Sequence, residues 1–502
     1  MSSVALYNAN DPYEVLISQM IAIERQPQDL LKTQRKDQER LKNVMKDVDS
    51  RISALHKVAK ELKDTFNSPF RGRTASAPSG APFTVSAGDA AAFGAHTLQV
   101  DRLASADTRL SRQYAANGNA LAAYADTTQS FSIELYKPGA EGADENGLVS
   151  ISVTADLTGK TNDADILSAV RSAINTAMED AVTAGTITDS DKAVASVVRE
   201  TSDTARLTLR SGETGYENRL RFTDSAGGLL AALEVTNEST RATPEGGGAV
   251  AAVGTGEMDS ELNSKFTLDG LTLYRSSNAV SDAVDGLTID LKKTDADPYE
   301  FSVATDGAGI KNKLNDFIKK YNDLLGYIAG KSAVDGDTGV RGDFAADSTF
   351  RDLRYSLRND LSRQVGGQAT GSPSMLADIG IEIGKDGTLS IKDEKKLLAA
   401  VEKDAGAVER LFSADGATSD ADGLAVRLTD RLERFVGAGG VVSSRSKAID
   451  ERLRRFDTRI KAWDERLSQK ETQLRMQFAK MQETISILQG QGQSLSGILG
   501  YY

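Results

Sequence analysis

Few side chains in this sequence have the type and spacing that catalysis or metal binding requires. The two histidines, His56 and His96, lie far apart, and the chain contains no cysteine, so neither a zinc site nor thiol chemistry is expected. His56 follows the apolar Leu55, which favours a packing or surface role over catalysis. None of the 72 acidic residues stands out as half of a general acid and base pair. We therefore predict no enzymatic activity, no cofactor and no metal.

Three segments resemble ligand-binding motifs only in part. Residues 326–332 end in Gly-Lys-Ser, but this segment is one residue shorter than a phosphate-binding loop and follows a helical pattern instead of a strand. Residues 335–339 and 420–423 place carboxylates in turns, without the spaced third ligand and the terminal Glu of an EF-hand. These two segments are expected to be solvated loops, and a weak calcium site is the alternative.

The strongest pattern lies at the two chain ends, where apolar residues recur every seven positions. The N-terminal rows are Leu41, Val48, Leu55 and Leu62, with Met45, Ile52, Ala59 and Phe66 behind them. The C-terminal row is Leu453, Ile460, Leu467, Leu474, Met481 and Leu488, accompanied by Ile449, Phe456 and Trp463. A repeat of seven is typical of coiled-coil strands, so we predict that these residues form partner-binding seams.

The first helix is predicted to begin at Asp11 and Pro12, a capping residue followed by a proline suited to the first turn. Its apolar side is assigned to Leu16, Met20 and Ile23. Pro27 is expected to kink or restart the helix. Gln34 and Gln38 occupy predicted seam positions, where they would specify register, unless this end of the helix is simply less buried.

Between the helical ends the sequence changes to short alternating runs separated by glycine and proline. Strands are predicted at 83–87, 97–103, 130–136, 149–153, 205–209, 220–222, 265–268, 271–274, 287–291 and 301–303. One amphipathic helix interrupts them, beginning at Asp163 or Asp165 and reaching Met178. Residues 240–256 contain five glycines and are predicted to be a flexible linker or loop.

After Asp306 the helical period returns. Helices are predicted over 310–328 and over 351–364. The first of these would pack on the N-terminal helix and form a bundle with it. A hairpin is predicted over 381–391, because its Lys-Asp-Gly segment favours a tight turn. Asp393 is predicted to cap the next helix.

These elements indicate an α+β multidomain protein with a terminal α-helical coiled-coil and bundle stem, formed by both chain ends, and inserted β-rich head domains. The expected domains are an N-terminal leg helix at 1–40; a helical bundle with a hairpin at 41–70 and 306–440; a β-rich head at 71–107 and 201–305; an inserted α/β head at 108–200; and a C-terminal coiled-coil leg at 441–502. Chain ends built to associate predict a subunit of a larger assembly.

Charge and hydropathy exclude several classes of partner. The net charge of -12 argues against nucleic acid, since phosphate binding requires a clustered basic surface. No polybasic run suited to anionic membranes and no apolar run of membrane-spanning length appears, so membrane insertion is not expected. The first ten residues lack the features of a signal peptide, which predicts a protein that is either cytosolic or exported without a cleaved signal.

Residues 17–27 end in Glu-Arg-Gln-Pro, residues 317–324 read Phe-Ile-Lys-Lys-Tyr-Asn-Asp-Leu, and residues 376–389 end in Asp-Gly-Thr-Leu. With residues 266–278 and 284–291, these five segments resemble, in order, the flagellar hook-associated protein 2 family, the flagellar filament cap proteins. They are similar to its N-terminal signature Glu-Arg-x-Pro, the opening of its C-terminal half, its Phe-x-x-x-Tyr-Asn-x-Leu helix and its hairpin. The family's Gly-rich opening is missing from the first ten residues, and residues 108–200 are not covered by the resemblance.

The resemblance implies a function at the distal end of the flagellum. Such proteins leave unfolded through the flagellar type III export apparatus, with an export chaperone as a further partner. They form a homo-oligomeric ring at the filament tip and guide flagellin subunits into place. The implied location is extracellular, or periplasmic in an organism with periplasmic flagella. A surface adhesin displayed at the tip and a hook-filament junction protein are the alternatives.

Overall fold

The computed structural model describes residues 12–437 and 439–499. The chain divides into two compact units, Gly72–Asp306 on one hand and Met1–Arg71 with Gly307–Tyr502 on the other. We call them the inserted unit and the terminal unit. Both chain ends therefore belong to the same unit.

The described residues form eight α-helices and eighteen strands, numbered here in chain order. The helices are α1 (Pro12–Lys63), α2 (Asp163–Thr183), α3 (Leu229–Ala232), α4 (Gly307–Ser332), α5 (Ser348–Ser362), α6 (Glu394–Ser413), α7 (Leu424–Val436) and α8 (Val441–Leu499). The strands are β1 (Arg73–Ser76), β2 (Phe83–Ala87), β3 (Gly94–Arg102), β4 (Ala106–Leu110), β5 (Tyr114–Ala115), β6 (Thr128–Tyr136), β7 (Leu148–Asp156), β8 (Val194–Thr201), β9 (Thr204–Thr214), β10 (Arg221–Thr223), β11 (Gly248–Ala249), β12 (Ser264–Leu268), β13 (Leu271–Arg275), β14 (Ala279–Val280), β15 (Leu287–Leu291), β16 (Tyr299–Thr305), β17 (Ile381–Ile383) and β18 (Leu389–Ile391).

A helical bundle forms the core of the terminal unit. The C-terminal half of α1 packs in one apolar cluster with α4, α5, α6, α7 and the start of α8. Phe317 and Tyr321 of α4 are among its fully buried side chains. The predicted cap is confirmed, because the Asp393 carboxylate accepts a hydrogen bond of 2.9 Å from the Lys396 N–H at the start of α6. The predicted hairpin is confirmed as β17 and β18.

Helix α1 departs from its predicted boundaries. It does not restart at Pro27, which lies inside a continuous helix of 52 residues. It ends at Lys63, and Phe66 is 89% exposed instead of lying in a seam. The reason is a turn in which the Asp64 carboxylate accepts hydrogen bonds from the Phe66 and Asn67 N–H groups at 2.8 and 3.1 Å. The predicted cap Asp11 lies outside the described residues.

The inserted unit contains four antiparallel sheets. One sheet has the strand order β1-β16-β3-β12-β13 and another the order β14-β15-β2, and the two share an apolar cluster. A second cluster lies among the sheet β10-β6-β7, the sheet β11-β4-β9-β5 and helix α2, with β8 paired to β9. The ten predicted strands and the predicted helix over 163–178 are all present, with small shifts at their ends.

Residues 240–256 are largely a loop, as one of the two predictions had it, but they do not form a flexible linker. Gly247, Gly248 and Ala249 are buried, and β11 pairs with β4. The Gly247 N–H donates a 2.7 Å hydrogen bond to the Glu234 carboxylate, and a Cβ at Gly247 would lie 2.5 Å from the Glu234 Cβ. Glycine is required here because the backbone approaches its neighbours closely.

Candidate partner-binding stem

The segments with partial ligand motifs have structural roles in the described residues. Residues 326–332 are the last turns of α4 and form no phosphate-binding loop. The Asp335 carboxylate accepts hydrogen bonds from the Asp337 and Thr338 N–H groups at 3.0 and 2.8 Å, and Asp422 accepts one of 3.0 Å from the Gly416 N–H. Among the described residues no group of three or more potential metal ligands is present, and no helix is long and apolar enough to cross a membrane.

The two histidines also lie in packed environments. The His96 Nδ1 lies 2.7 Å from an Asp269 carboxylate oxygen, and the His96 ring stacks on Phe301 with 5.2 Å between centroids. His56 is half-buried on α1, and its Nε2 has no hydrogen-bond partner in the described structure. Burial, reinforced by the charge of Lys60, lowers the pKa of His56 below its ordinary value.

The feature best suited to binding a partner is the antiparallel pair that α1 and α8 form, whose base at Leu41, Ile449 and Leu453 belongs to the bundle cluster. We call residues 12–43 of α1 and 449–478 of α8 the stem. At one end of the stem, the Lys42 ammonium lies 2.7 Å from the Asp450 carboxylate. At the other end, the rings of Tyr13 and Phe478 have centroids 5.6 Å apart. Residue numbers rise along α1 as they fall along α8, so the helices are antiparallel.

Polar contacts at intervals of seven residues fix the register of the stem. Lys42 pairs with Asp450 and Arg35 pairs with Asp457, while the Gln28 amide donates to Asp464. The hydrogen bond to Asp457 raises the pKa of Arg35 above its ordinary value. We call this row of three contacts the polar ladder. Such flanking contacts select one alignment of two helices over its neighbours, as in other coiled coils.

Near the N-terminal end of α1, the apolar contacts of the stem differ from the predicted ones. Ile17 and Ile21 of α1 pack with Leu474 and the partly buried Phe478 of α8. The residues predicted to form the apolar side of this helix are instead exposed: Leu16 (43%), Met20 (38%) and Ile23 (66%). The seam prediction for Gln34 is also wrong, because Gln34 is exposed whereas Gln28 is 1% exposed. Both errors arise because the position of α8 decides which face of α1 is buried.

The structure divides the predicted seam residues into three groups. The first group is buried in the bundle core of the terminal unit, with Leu41 packed at its edge, and comprises Met45, Val48, Ile52, Leu55, Leu62 and Leu453. The second group lies along the stem and comprises the buried Leu467 and Leu474 and the half-buried Phe456, Ile460 and Trp463. The third group, Met481 and Leu488, lies beyond the end of the α1 pairing and is 39% and 60% exposed.

Comparisons with known proteins agree with this architecture. The family model for the flagellar hook-associated protein 2 N-terminus matches residues 12–107, and the model for its C-terminus matches residues 262–490. The chain is 29% identical over 497 residues to the A-type flagellar hook-associated protein 2 of Pseudomonas aeruginosa, covering 96% of this chain and 94% of that protein. It is 29% identical over 427 residues to the B-type protein of a Pseudomonas aeruginosa strain, covering 82% and 78% of the two chains.

A solved structure shares the fold. The D1-D2-D3 domains of the flagellar cap protein FliD from Escherichia coli match with a TM-score of 0.56 and 21% identity, over 81% of this chain and 99% of that chain. Fold and stem together define an α+β protein whose N- and C-terminal regions form one helical unit and whose β-rich middle region is inserted between them in sequence. With both terminal regions matched by its models, the chain belongs to the flagellar hook-associated protein 2 family, the flagellar cap proteins.

Proposed function

We propose that this protein caps the distal end of a flagellar filament as a homo-oligomeric plate, promotes the insertion of flagellin subunits and prevents their loss. The observation that carries the proposal is the family match at both chain ends, the regions that the structure joins into one helical unit. An adhesin or a hook-filament junction protein is not favoured by these matches. The work is mechanical, and no catalytic step is required of any residue.

In this proposal the stem is a leg that holds the cap among the topmost filament subunits. A leg must bind strongly enough to keep the cap in place, yet it must release when a new subunit enters. A stem whose seam is interrupted by a buried glutamine, Gln28, suits exchangeable packing better than a continuous leucine seam does. The protein would leave the cell unfolded, through the flagellar export apparatus and accompanied by a chaperone.

Electron microscopy of gold-labelled full-length protein, mixed with filaments grown from flagellin of the same organism, tests the proposal. Gold at one end only, with elongation changed at that end, is the expected result. Label along the shaft or at the hook end would contradict it. The location of the label in cells would also distinguish an external filament tip from a periplasmic one.

A paired substitution tests whether the stem carries the function. Leu467→Asp with Leu474→Asp introduces charges at two buried stem positions, each 5% exposed, where the unpaired carboxylates would be desolvated. We expect the variant to lose tip binding and filament growth. Met476→Asp is the matched control, because Met476 lies on the same helix segment but is 56% exposed. Normal motility in the double variant would exclude a leg that depends on this packing.

A further inference from the structure

One face of α8 carries a row of basic side chains that no ion pair within the described part of the chain neutralises. The row consists of Arg452, Arg455, Arg459, Arg466 and Lys470, at spacings of three, four, seven and four, which places all five on one side of a helix. All five are exposed, and no carboxylate of the described residues forms an ion pair with any of them. The guanidinium of Arg466 lies over the Trp463 ring at 4.9 Å from its centroid.

The basic row lies on the opposite flank of the α8 seam from the polar ladder. At about 100° per residue, the ladder positions Asp450, Asp457 and Asp464 lie to one side of Leu453, Leu467 and Leu474, and the basic row lies to the other. The two sets also differ in their contacts, because the ladder carboxylates are paired with α1. The basic row is therefore available for a different partner.

On this same face of the stem, α1 presents an apolar row. Leu16, Met20, Ile23 and Leu30 recur at spacings of four, three and seven, on the flank of α1 away from the ladder residues. Leu30 is 61% exposed and Ile23 is 66% exposed.

Because the ladder fixes which flanks of the two antiparallel helices meet, the apolar row of α1 and the basic row of α8 lie on the same side of the stem. The pairing of Gln28 with Asp464 places the Ile23 to Leu30 segment beside Arg466 and Lys470, and the other three cations continue the basic row beyond the apolar row. We call this side of the stem the basic-apolar face.

We propose that the basic-apolar face binds an amphipathic helix of another protein, one that carries acidic residues beside its apolar stripe. The proposal deepens the proposed function, since such a helix would belong to a neighbouring filament subunit. Charge complementarity selects this occupant. The five cations follow the axis of α8 for 18 residues, roughly 27 Å at 1.5 Å per residue, and a helix laid alongside can match that spacing with its own carboxylates.

Two other occupants fit less well. A second copy of this chain would have to supply a row of free carboxylates on a helix, whereas the heptad-spaced carboxylates of α8 are already engaged in the polar ladder. An anionic membrane surface would attract the basic row, but the stem joins it to an apolar row only 15 residues long, from Leu16 to Leu30. Both occupants are outcomes of the experiment below.

Titration of the full-length protein with a designed peptide provides the test. The peptide is a labelled amphipathic helix of four heptads with leucines in its stripe and glutamates on one flank; its twin has lysines on that flank. We expect the acidic peptide to bind at least about tenfold more tightly than its twin, from several charge pairs of modest strength each. The affinity should fall as salt is added.

Three variants make the test specific. Arg459→Glu with Arg466→Glu and Lys470→Glu should weaken binding of the acidic peptide at least about tenfold. Arg459→Lys with Arg466→Lys keeps the charge and should bind like the unchanged protein. The matched control reverses three exposed cations on the ladder side of α8, Lys447, Arg454 and Lys461, and should also retain binding. Circular dichroism of each variant establishes that the helices are formed.

The alternative outcomes overturn the proposal. Equal binding of both peptides, or an unchanged affinity in the triple reversal, would exclude an acidic helix as the occupant. Binding of phosphatidylserine vesicles without peptide binding would assign the face to membranes. Self-association that the triple reversal abolishes, again without peptide binding, would assign it to a second copy. Peptide binding as expected, without gold at filament tips, would refute the capping function and leave the face with another helical partner.

Discussion

At the scale of single residues, the stability of the stem depends on a buried glutamine that stands where a seam would have an apolar side chain. Gln28 is buried, donates to Asp464, and accepts a 3.1 Å hydrogen bond from Lys32. Removing these contacts in Gln28→Ala should cost the stem about 1–2 kcal/mol. Hydrogen exchange of the amides of α1 would report the loss. Gln34→Ala, a change at an exposed position, should alter exchange little, and equal effects of the two changes would contradict a special role for Gln28.

His56 predicts a pH dependence of the terminal unit. Its pKa is lowered in the folded chain by burial and by Lys60, with Glu433 opposing and Lys63 adding to the shift. The contribution of a neutral His56 to stability is therefore complete above its unfolded pKa of about 6.5, and it is lost as the pH falls from there through the folded pKa. His56→Phe should lose less stability than the unchanged protein in urea unfolding between about pH 7.5 and about pH 5. Parallel losses would show that other groups dominate.

At the scale of elements, Pro27 weakens the middle of the stem helix. A proline inside a helix removes one backbone hydrogen bond and costs about 3 kcal/mol, although it also restricts the unfolded chain. Pro27→Ala should therefore slow hydrogen exchange across the neighbouring turns of α1 and raise the stability of the stem. If the leg must bend to admit a subunit, filaments capped by the same variant should have a lower elongation rate. Faster exchange in the variant would mean that the stem is packed around the proline ring.

The stem also shows why sequence reasoning succeeded only in part. The first turns of α1 carry two adjacent rows with nearly equivalent spacing, Leu16, Met20 and Ile23 in one and Ile17 and Ile21 in the other. Hydrophobic periodicity identifies the helix but cannot decide between such rows, because the choice depends on where α8 lies. For the same reason, hydrophobic periodicity does not predict the burial of Gln28, a polar residue beside Pro27.

In the inserted unit, the sequence predicts some strands correctly and does not predict others. Strands with clear alternation were predicted correctly, as for β2 and β15, which pair with each other over five residues. The edge strand β8 was missed, because Val194 and Val198 are exposed and its sequence does not alternate cleanly. In the terminal unit, helix α7 is absent from the predicted elements. Its amphipathic run from Leu424 directly follows the Asp-rich segment 420–423, whose turn residues predict a loop.

At the scale of the whole molecule, charge is divided unequally between the two units. The inserted unit, Gly72–Asp306, has 34 acidic and 18 basic residues and a net charge of −16, whereas the terminal unit has 38 acidic and 42 basic residues and a net charge of +4. The overall charge of -12 conceals this contrast. The basic residues of the terminal unit include the exposed row on α8. The unit that contains the stem is therefore also the unit whose charge attracts acidic partners.

The inserted unit is expected to fold alone. Its two ends meet, because β1 pairs with β16 and the Asp306 N–H donates a 2.9 Å hydrogen bond to the Gly72 carbonyl. It also has apolar clusters of its own. A fragment of residues 72–306 should therefore unfold cooperatively in urea, with a midpoint that matches one transition of the full chain. Self-repulsion at a net charge of −16 should be relieved by salt, so its melting temperature should rise between low salt and about 0.15 M salt. A fragment that is unfolded, or that melts without cooperativity, would show that the terminal unit is required to hold the insertion together.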